Sequence, residues 1–331
     1  MKPLLSIIVP FYNQEKYVGE CLQSLFSQAT EQEEFILMDD GSTDGSAQIC
    51  RDYLNRFSVR GKLIQQENHG LLRTRQIGLE HAEGDYILFV DSDDCLMEGA
   101  FQTLTTVIES RNPDIIMFNA TNDRDSQKPL FSYSFQDAQT FEGEQKYELY
   151  RLLCTTDKLN NIWTKCVKRE LFSDPEIYQD IDGISNGEDL YQSLVLFDRA
   201  ENLLFINRVL YFYRVSMTSM SRSYNPRHFT SEKKVCIRRI RYAEKWSRDN
   251  NELVQGAEVW ICKILRDVTR KLFVSDLSWE KTKEELLKLR NDDFYRKYYM
   301  NTSCDPNKRD IVLKSPLPVM RIWKKMYGWK R

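Results

Sequence analysis

Residues 89–94 read FVDSDD, so three carboxylates, Asp91, Asp93 and Asp94, fall within four positions at the end of a stretch too apolar for a surface loop. Like charges this close raise one another's pKa values and oppose folding unless something positive sits among them. In an extended segment Asp91 and Asp93 project to the same side, because strand side chains alternate. Two carboxylates on one side suit a hard divalent cation, Mg²⁺ or Mn²⁺, which takes oxygen ligands and leaves positions for substrate phosphates. A solvated acidic turn with Asp93 or Asp94 capping the next helix uses the same residues. A second acidic pair, Asp39 and Asp40, opens the run DDGSTDGS. There Gly41 and Gly45 permit tight turns, and Ser42, Thr43 and Asp44 are candidate helix caps. A carboxylate at such a strand end could accept a base N–H or ribose hydroxyls. The chain has no GxGxxG or GxxxxGK[ST] loop, which argues against dinucleotide and P-loop binding.

The elements that must position these acids alternate in type. Short apolar runs at Leu5–Phe11, Phe35–Asp40, Lys62–Gln66, Asp85–Asp91 and Asp114–Ala120 fit strands buried on both faces of a mostly parallel sheet. Between them lie helical patterns. Tyr17, Cys21, Leu22, Leu25 and Phe26 follow helix spacing, as do Ala47, Cys50, Tyr53 (or Leu54) and Phe57. Strand, helix, strand, helix predicts an α/β fold with helices flanking the sheet. In such folds ligands sit at the carboxyl ends of strands, where both acidic clusters fall. Residues 121–150 read as a polar excursion, a hairpin or loop. A helix is expected over Leu190–Phe197, a strand over Val209–Arg214, and mostly helix from Arg227 on.

The chain has 331 residues, 41% hydrophobic and 29% charged, enough to bury a sizeable core. Residues 1–225 carry 21 Lys and Arg against 35 Asp and Glu, and residues 226–331 carry 26 against 14. An acidic first part and a basic second part predict two domains, 1–225 and 226–331, with different tasks. The eight cysteines show no CxxC pair and read as reduced, structural thiols, which disfavours zinc. No segment approaches the roughly 18–20 apolar residues of a membrane span, and LLSIIVPF is too short for a signal peptide. A cytoplasmic location is expected.

The runs SIIVPFYN, MDDGSTDGS, ENHGLLRTRQIGLEHAEGDYILFVDSDD and GEDLYQS, in that order over residues 4–220, resemble glycosyltransferase family 2. The resemblance implies the GT-A fold, a nucleotide-sugar donor, expected to be UDP-linked, and inversion at the anomeric carbon. It implies that Pro10, Tyr12 and Asn13 close the first strand at the nucleotide pocket. Asp40 would contact the uracil or ribose, supported by Asp39, and Arg75 would lie beside the base or diphosphate. Asp91-Ser92-Asp93 would be the DxD motif, with Asp93 ligating Mn²⁺ or Mg²⁺ and Asp91 holding the ribose or a metal-bound water. Asp94 would be an outer acid, and Asp189 the catalytic base with Glu188 beside it. From spacing alone Asp189 reads rather as the N-terminal cap of the helix over Leu190–Phe197; the resemblance turns the reading to the base. NIWTKCVKRELF resembles a segment of bacterial members that build capsules, O-antigens or cell-wall glycans, which places Trp163 and Lys165 on the acceptor side, or in simple packing. YFYRVSMTSMS resembles the segment closing over the diphosphate, with Arg214 and Ser219 as candidates. Some relatives carry a metal-binding His there; this chain has Val215 and Ser216, and the nearest is His228.

The resemblance therefore implies one-sugar transfer to a glycan or lipid-linked acceptor. A processive polymerase is disfavoured by the lack of a QxxRW motif and of membrane spans. A sugar nucleotidyltransferase would share the architecture, but VPFYNQEKY is not its Gly-rich phosphate loop. A non-catalytic nucleotide-sugar or glycan-binding protein would not need Asp189. Nucleic acid is the weakest partner. The helical region could pair two chains. At the end of the chain Val319, Met320, Ile322, Trp323, Met326, Tyr327 and Trp329 share one helical arc, and Arg321, Lys324 and Lys325 the other. That pattern suits an interfacial helix on the inner face of the cytoplasmic membrane, or a helix docked on its own domain.

Overall fold

A computed structural model describes residues 2–125, 127–215, 224–248, 250–302 and 308–328. The chain forms two compact units. The first comprises Met1–Lys146, Asn160–Ile181 and Val195–Ser216, and the second Tyr147–Leu159, Asp182–Leu194 and Met217–Arg331.

The first unit is built on one mixed sheet. Its strands are β1 (Leu5–Phe11), β2 (Glu33–Asp39), β3 (Gly61–Gln65), β4 (Tyr86–Phe89), β5 (Cys95–Leu96), β6 (Ile115–Thr121), β7 (Gln139–Phe141), β8 (Lys165–Lys168) and β9 (Leu203–Phe212). The order is β3-β2-β1-β4-β8-β6-β9-β5, with β7 also paired to β9. Strands β3, β2, β1 and β4 run parallel, and β8 is antiparallel to both β4 and β6. Helices α1 (Val18–Phe26), α2 (Ser46–Arg56), α3 (Leu71–Glu80) and α4 (Ala100–Arg111) follow strands in the expected alternation. Every residue of β1 and β2 is buried. That explains why both read as unbroken apolar runs rather than as alternating ones. The Val18, Cys21, Leu22, Leu25 and Phe26 face of α1 joins Phe35, Leu37, Phe101 and Leu104 in the core. Each such aliphatic side chain contributes about 1.5–3 kcal/mol on burial.

The second unit is helical. Its elements are α5 (Lys146–Thr155), α6 (Glu188–Arg199), α7 (His228–Trp246), α8 (Glu252–Val274), α9 (Trp279–Asn291), α10 (Asp293–Tyr295), α11 (Lys308–Lys314) and α12 (Leu317–Gly328); α5 begins and α6 ends in the first unit. Leu253, Ala257, Ile261, Leu265, Val268 and Leu272 mark a buried stripe at three- and four-residue spacing along α8. Helices α7, α9, α11 and α12 all pack on α8. On α7 the buried side holds Val235, Cys236, Arg239, Tyr242 and Trp246, whereas Ile237 faces solvent.

Two expectations change. The 121–150 stretch contains β7 and most of the first two turns of α5 rather than only a loop. Six cysteines, at 21, 50, 95, 154, 166 and 236, are free and buried as expected, but Cys262 is disulfide-bonded. Its neighbours in the sequence give no spacing signal for that bond. Among the described residues no helix is long and apolar enough to cross a membrane.

Candidate active site

Parallel strands β2, β1 and β4 are neighbours, so the loops at their carboxyl ends leave the sheet together. Pro10 is buried in β1 opposite Met38, and Tyr12 beyond it is 48% exposed. Asn13 adopts a left-handed conformation (φ +52°), which asparagine tolerates better than most residues. Its Oδ1 accepts the Thr43 N–H (2.8 Å), and its own N–H donates to Ser42 Oγ (3.0 Å). Gln14 N–H donates to Ser46 Oγ (2.7 Å), and Gly45 N–H to the Glu15 carboxylate (2.9 Å). The loop after β1 is thus stitched to the start of α2. Asp44 accepts the Ser46 N–H (3.0 Å) there, one position before Gly45, which stands at the cap of α2 in place of the expected Ser42, Thr43 or Asp44 and makes no side-chain cap bond.

Asp39 and Asp40 are both buried, and the protein itself engages their carboxylates. Asp39 accepts from Ser42 N–H (2.8 Å) and Gln65 Nε2 (2.9 Å). Asp40 accepts from Gln66 Nε2 (2.9 Å), His69 N–H (2.8 Å) and Gly70 N–H (2.9 Å). Gly70 (φ +83°) is the residue from which α3 starts. The Asp40 carboxylate, expected at the base or ribose, anchors the 66–70 loop and the start of α3. Asp40→Ala is expected to cost about 3 kcal/mol, because it strands buried donors of a charged hydrogen-bond set. Urea denaturation checks this. An unchanged midpoint would show that the loop does not depend on Asp40.

Helix α3 carries Arg75 inward to the acidic turn. Arg75 is fully buried, donates from Nη2 to Asp91 Oδ1 (3.1 Å), and lies 5.4 Å from the Phe89 ring centre. Ser92, next to Asp91 in the sequence, is buried. Asp94 points furthest in. The Tyr211 hydroxyl donates to one of its oxygens (2.8 Å) and Arg214 N–H to the other (2.7 Å). Tyr211 Oη also accepts the Asp91 N–H (3.1 Å). Burial, then the charges of Asp91 and Asp93, push the Asp94 carboxyl up to about 8, against the pull of those two hydrogen bonds. Arg214 Nε donates to the Asp93 carbonyl (2.7 Å) and Nη2 to Glu20 (2.5 Å); Arg124 donates to the other Glu20 oxygen (2.6 Å). Burial pushes the Glu20 carboxyl up, but the two arginines outweigh it and hold it below its ordinary value.

Asp93 differs from its neighbours. Burial raises its carboxyl above the ordinary range, against its own backbone N–H and the charge of Arg214. Among the described residues it forms no ion pair, whereas Asp91 has Arg75. A desolvated carboxylate without a cation, next to a second carboxylate, is a donor set that fits a hard divalent ion. Among the described residues no group of three His, Cys, Asp or Glu side chains converges. The protein would therefore supply Asp93 and Asp91 and leave the remaining positions to substrate oxygens and water.

Trp163 and Lys165, read from the sequence as acceptor-side or packing residues, are both buried. Trp163 stacks on Tyr211 (4.7 Å) and Tyr213 (5.5 Å) within the core, and so supports the residue that holds Asp94. Lys165 is buried, with Nζ donating to the Asn161 carbonyl. Ser219 lies outside the described residues. Tyr211, Glu20 and Arg124 were not singled out by sequence. Tyr211 sits in an apolar strand pattern, and Glu20 and Arg124 are 104 residues apart with no motif around either.

Glu188 and Asp189 belong to the second unit, in the first turn of α6. The loop before them is fixed to α7. Ser231 Oγ accepts the N–H groups of Ser185 and Asn186 (both 3.0 Å) and donates to the Asn186 carbonyl (2.8 Å). The Asn186 amide donates to Glu232, and Arg238 Nη1 to the Tyr191 carbonyl (3.0 Å). Burial pushes the Glu232 carboxyl up to about 7, although Asn186, Arg239 and Lys271 pull it down. Between the ordinary carboxylate range and about 7 the native state therefore binds more protons than the unfolded chain. Stability falls as pH rises through that window and is flat above it. Glu232→Gln is expected to flatten this slope in thermal melts taken from pH 5 to 8; an unchanged slope would refute the assignment. His228 is buried at the start of α7, and burial lowers its pKa.

Residues 6–172 match the family model described as glycosyl transferase family 2. The uncharacterized glycosyltransferase EpsJ of Bacillus subtilis is 34% identical over 224 residues, 67% of this chain and 64% of EpsJ. The glycosyltransferase GlyA of Streptococcus pneumoniae is 30% identical over 223 residues, 66% of this chain but 31% of GlyA. This chain thus spans less than two thirds of either relative. The crystal structure of S. aureus TarS 1–349 in complex with UDP-GlcNAc superposes with a TM-score of 0.69 at 20% identity, covering 100% of this chain and 93% of that one. The sheet with its flanking helices, the helical region after it and these matches agree with the GT-A architecture. With half its length matching the family model and its acids at the carboxyl ends of the parallel strands, the chain belongs to glycosyltransferase family 2.

Proposed function

We propose that this chain is a metal-dependent, inverting glycosyltransferase. It moves one sugar from a UDP-linked donor to a hydroxyl of a glycan or lipid-linked acceptor in bacterial capsule, O-antigen or cell-wall glycan synthesis. The observation that carries this reading is the half-buried Asp93 carboxylate, without an ion pair among the described residues, in the turn beyond the carboxyl end of β4. Family membership supports it, and TarS, of the same fold, is seen with UDP-GlcNAc.

Asp93 and Asp91 would hold Mn²⁺ or Mg²⁺, which when bound supplies Lewis-acid neutralisation of a leaving diphosphate. Arg75 orients Asp91. Tyr12 offers an exposed ring to the base, beside Asn13 and the Asp39–Asp40 turn. Arg214 holds the Asp93 carbonyl and presents a guanidinium at the diphosphate side. Asp189, with Glu188, takes the proton from the acceptor hydroxyl; attack opposite the leaving group then inverts the anomeric carbon. The catalytic part is residues 1–225, and 226–331 is a basic helical region. A panel of UDP-sugars assayed for UDP release, with Mn²⁺ or Mg²⁺ and with EDTA, tests the reading. Metal-dependent release from one donor is expected. If no donor is turned over with any acceptor fraction, the reading fails.

We also infer that the enzyme works on the cytoplasmic face of the membrane through α12. Met320 is buried, and Lys324 Nζ donates to the Phe273 (2.9 Å) and Ser275 (3.0 Å) carbonyls at the end of α8, so one side of α12 is docked. Val319, Ile322 and Trp323 remain exposed beside Arg321 and Lys325, a pattern that suits an anionic lipid surface. Ile322→Asp with Trp323→Asp should abolish co-sedimentation with phosphatidylglycerol vesicles. Unchanged sedimentation would sink the idea.

A further inference from the structure

Glu20 has no part in the proposed transfer, yet its carboxylate is held from two sides. It stands in the first turn of α1, whose Val18, Cys21, Leu22, Leu25 and Phe26 face is locked in the core of the first unit. Arg214 Nη2 donates to one of its oxygens (2.5 Å) and Arg124 Nη2 to the other (2.6 Å). Each arginine is braced in turn. Arg124 also donates to Cys95 Sγ (3.0 Å), and its Cζ lies 4.1 Å from the Phe212 ring centre. The Arg214 Cζ lies 5.6 Å from the centre of the same ring and 4.8 Å from that of Tyr17. Groups from α1, β5, β9 and the loops after β6 and β9 thus form one cluster within the first unit.

Stability does not explain this cluster. Glu20 and Arg124 are 44% and 45% exposed, and ion pairs this open contribute little to folding. What the contacts do is fix Arg214. Its backbone N–H holds Asp94, its Nε the Asp93 carbonyl and its Nη2 Glu20. Its Nη1 has no hydrogen-bond partner among the described residues, and the side chain stays 22% exposed. A free arginine loses rotamer freedom on meeting a ligand; this one has lost it beforehand. Two guanidinium groups against one carboxylate also leave the cluster with a net positive charge.

We propose that Glu20, set by Arg124, is a positioning residue for Arg214. It holds one end of the guanidinium fork against the acidic turn and leaves the other end for the diphosphate of the donor. The proposal rests on the nucleotide-sugar reading. A carboxylate that only neutralised Arg214 would compete with the diphosphate for it, and that role has the opposite sign. Positioning makes Glu20 favour diphosphate binding, and competition makes it oppose it.

Calorimetric titration of the full chain with UDP, and with uridine, which lacks the phosphates, separates the two roles. Mn²⁺ is present, and the salt is about 0.15 M, where long-range charge is screened. In Glu20→Gln the affinity for UDP should fall roughly tenfold and that for uridine should not change, because only the pre-organised donor is lost. Turnover of the UDP-sugar should fall roughly 10–100-fold, the scale of a misplaced group, while the melting temperature barely moves. In the Arg214→Lys background, where the fork is gone, Glu20→Gln should cost little more, since both act through one group. Tighter UDP binding by Glu20→Gln overturns the proposal in favour of competition. Equal losses for UDP and uridine, the mark of a damaged fold, also overturn it, as does full additivity in the double variant. Wild type that binds no UDP removes the donor reading and the proposal with it. Wild-type affinity and turnover in Glu20→Gln overturn the proposal alone.

Discussion

Asp93→Asn is expected to lower sugar transfer roughly 1000-fold, since a Lewis acid contributes several kcal/mol to a transition state and about 1.4 kcal/mol is tenfold in rate. The residual rate should no longer respond to Mn²⁺ or EDTA. The chain should stay folded. Asn keeps the size of the side chain and removes a desolvated charge that no ion pair offsets among the described residues. In EDTA the variant should therefore melt at or above the wild-type temperature. A structural acidic turn predicts a different pattern, with activity retained. The neighbouring acids serve as controls. Asp94 is held by Tyr211 and the Arg214 N–H, so Asp94→Asn should lower stability as well as activity. Loss of both properties together at Asp93 would place it in that structural class instead.

The second large effect is expected at Asp189. Asp189→Asn should reduce turnover roughly 10²–10⁴-fold, the range for removal of a general base, with donor binding unchanged. The competing role is a helix terminus. Asp189 lies in the first turn of α6, where a negative charge favours the helix by about 0.3–1 kcal/mol. If that were its whole task, Asn would shift the melting temperature slightly and leave turnover nearly intact. Kinetics and melts on the same variant therefore separate the two roles. Ser231→Ala gives a further check. It removes the acceptor that fixes the Ser185 and Asn186 N–H groups, so turnover should fall less than in Asp189→Asn, and with a change in KM.

The alternation of β1, β2, β4 and β6 was legible because those strands are buried on both faces and read as apolar runs between polar turns; β3, half-exposed at the sheet edge, gave the weaker run KLIQQ. The short strands were not. β5 has two residues and β7 three, and β8 is a four-residue strand inserted antiparallel between β4 and β6. Such segments owe their conformation to long-range pairing, which leaves no local periodicity. Strand β9 begins at Leu203, earlier than the Val209 expected, because Asn207 and Arg208 interrupt its apolar pattern.

At the site, residue type and strand-end position were legible, and hydrogen-bond partners were not. Asp39, Asp40 and Asp91 to Asp94 stand out as acids beside apolar runs. That Asp40 holds the 66–70 loop, and that Tyr211 reaches Asp94 from 117 residues away, follows only from tertiary placement. Trp163 shows the same limit. A tryptophan in a polar-flanked segment suits a binding surface or a core, and stacking on Tyr211 and Tyr213 puts it in the core.

The central claim is that Asp93, with Asp91, makes a metal-dependent nucleotide site. Calorimetric titration of UDP into wild type and Asp93→Asn, with Mn²⁺ and then with EDTA, addresses it directly. Wild type should bind UDP with Mn²⁺ and lose at least tenfold in affinity in EDTA, and Asp93→Asn should bind equally weakly in both buffers. Equal binding by wild type with and without metal, or full Mn²⁺-dependent binding by the variant, would contradict it.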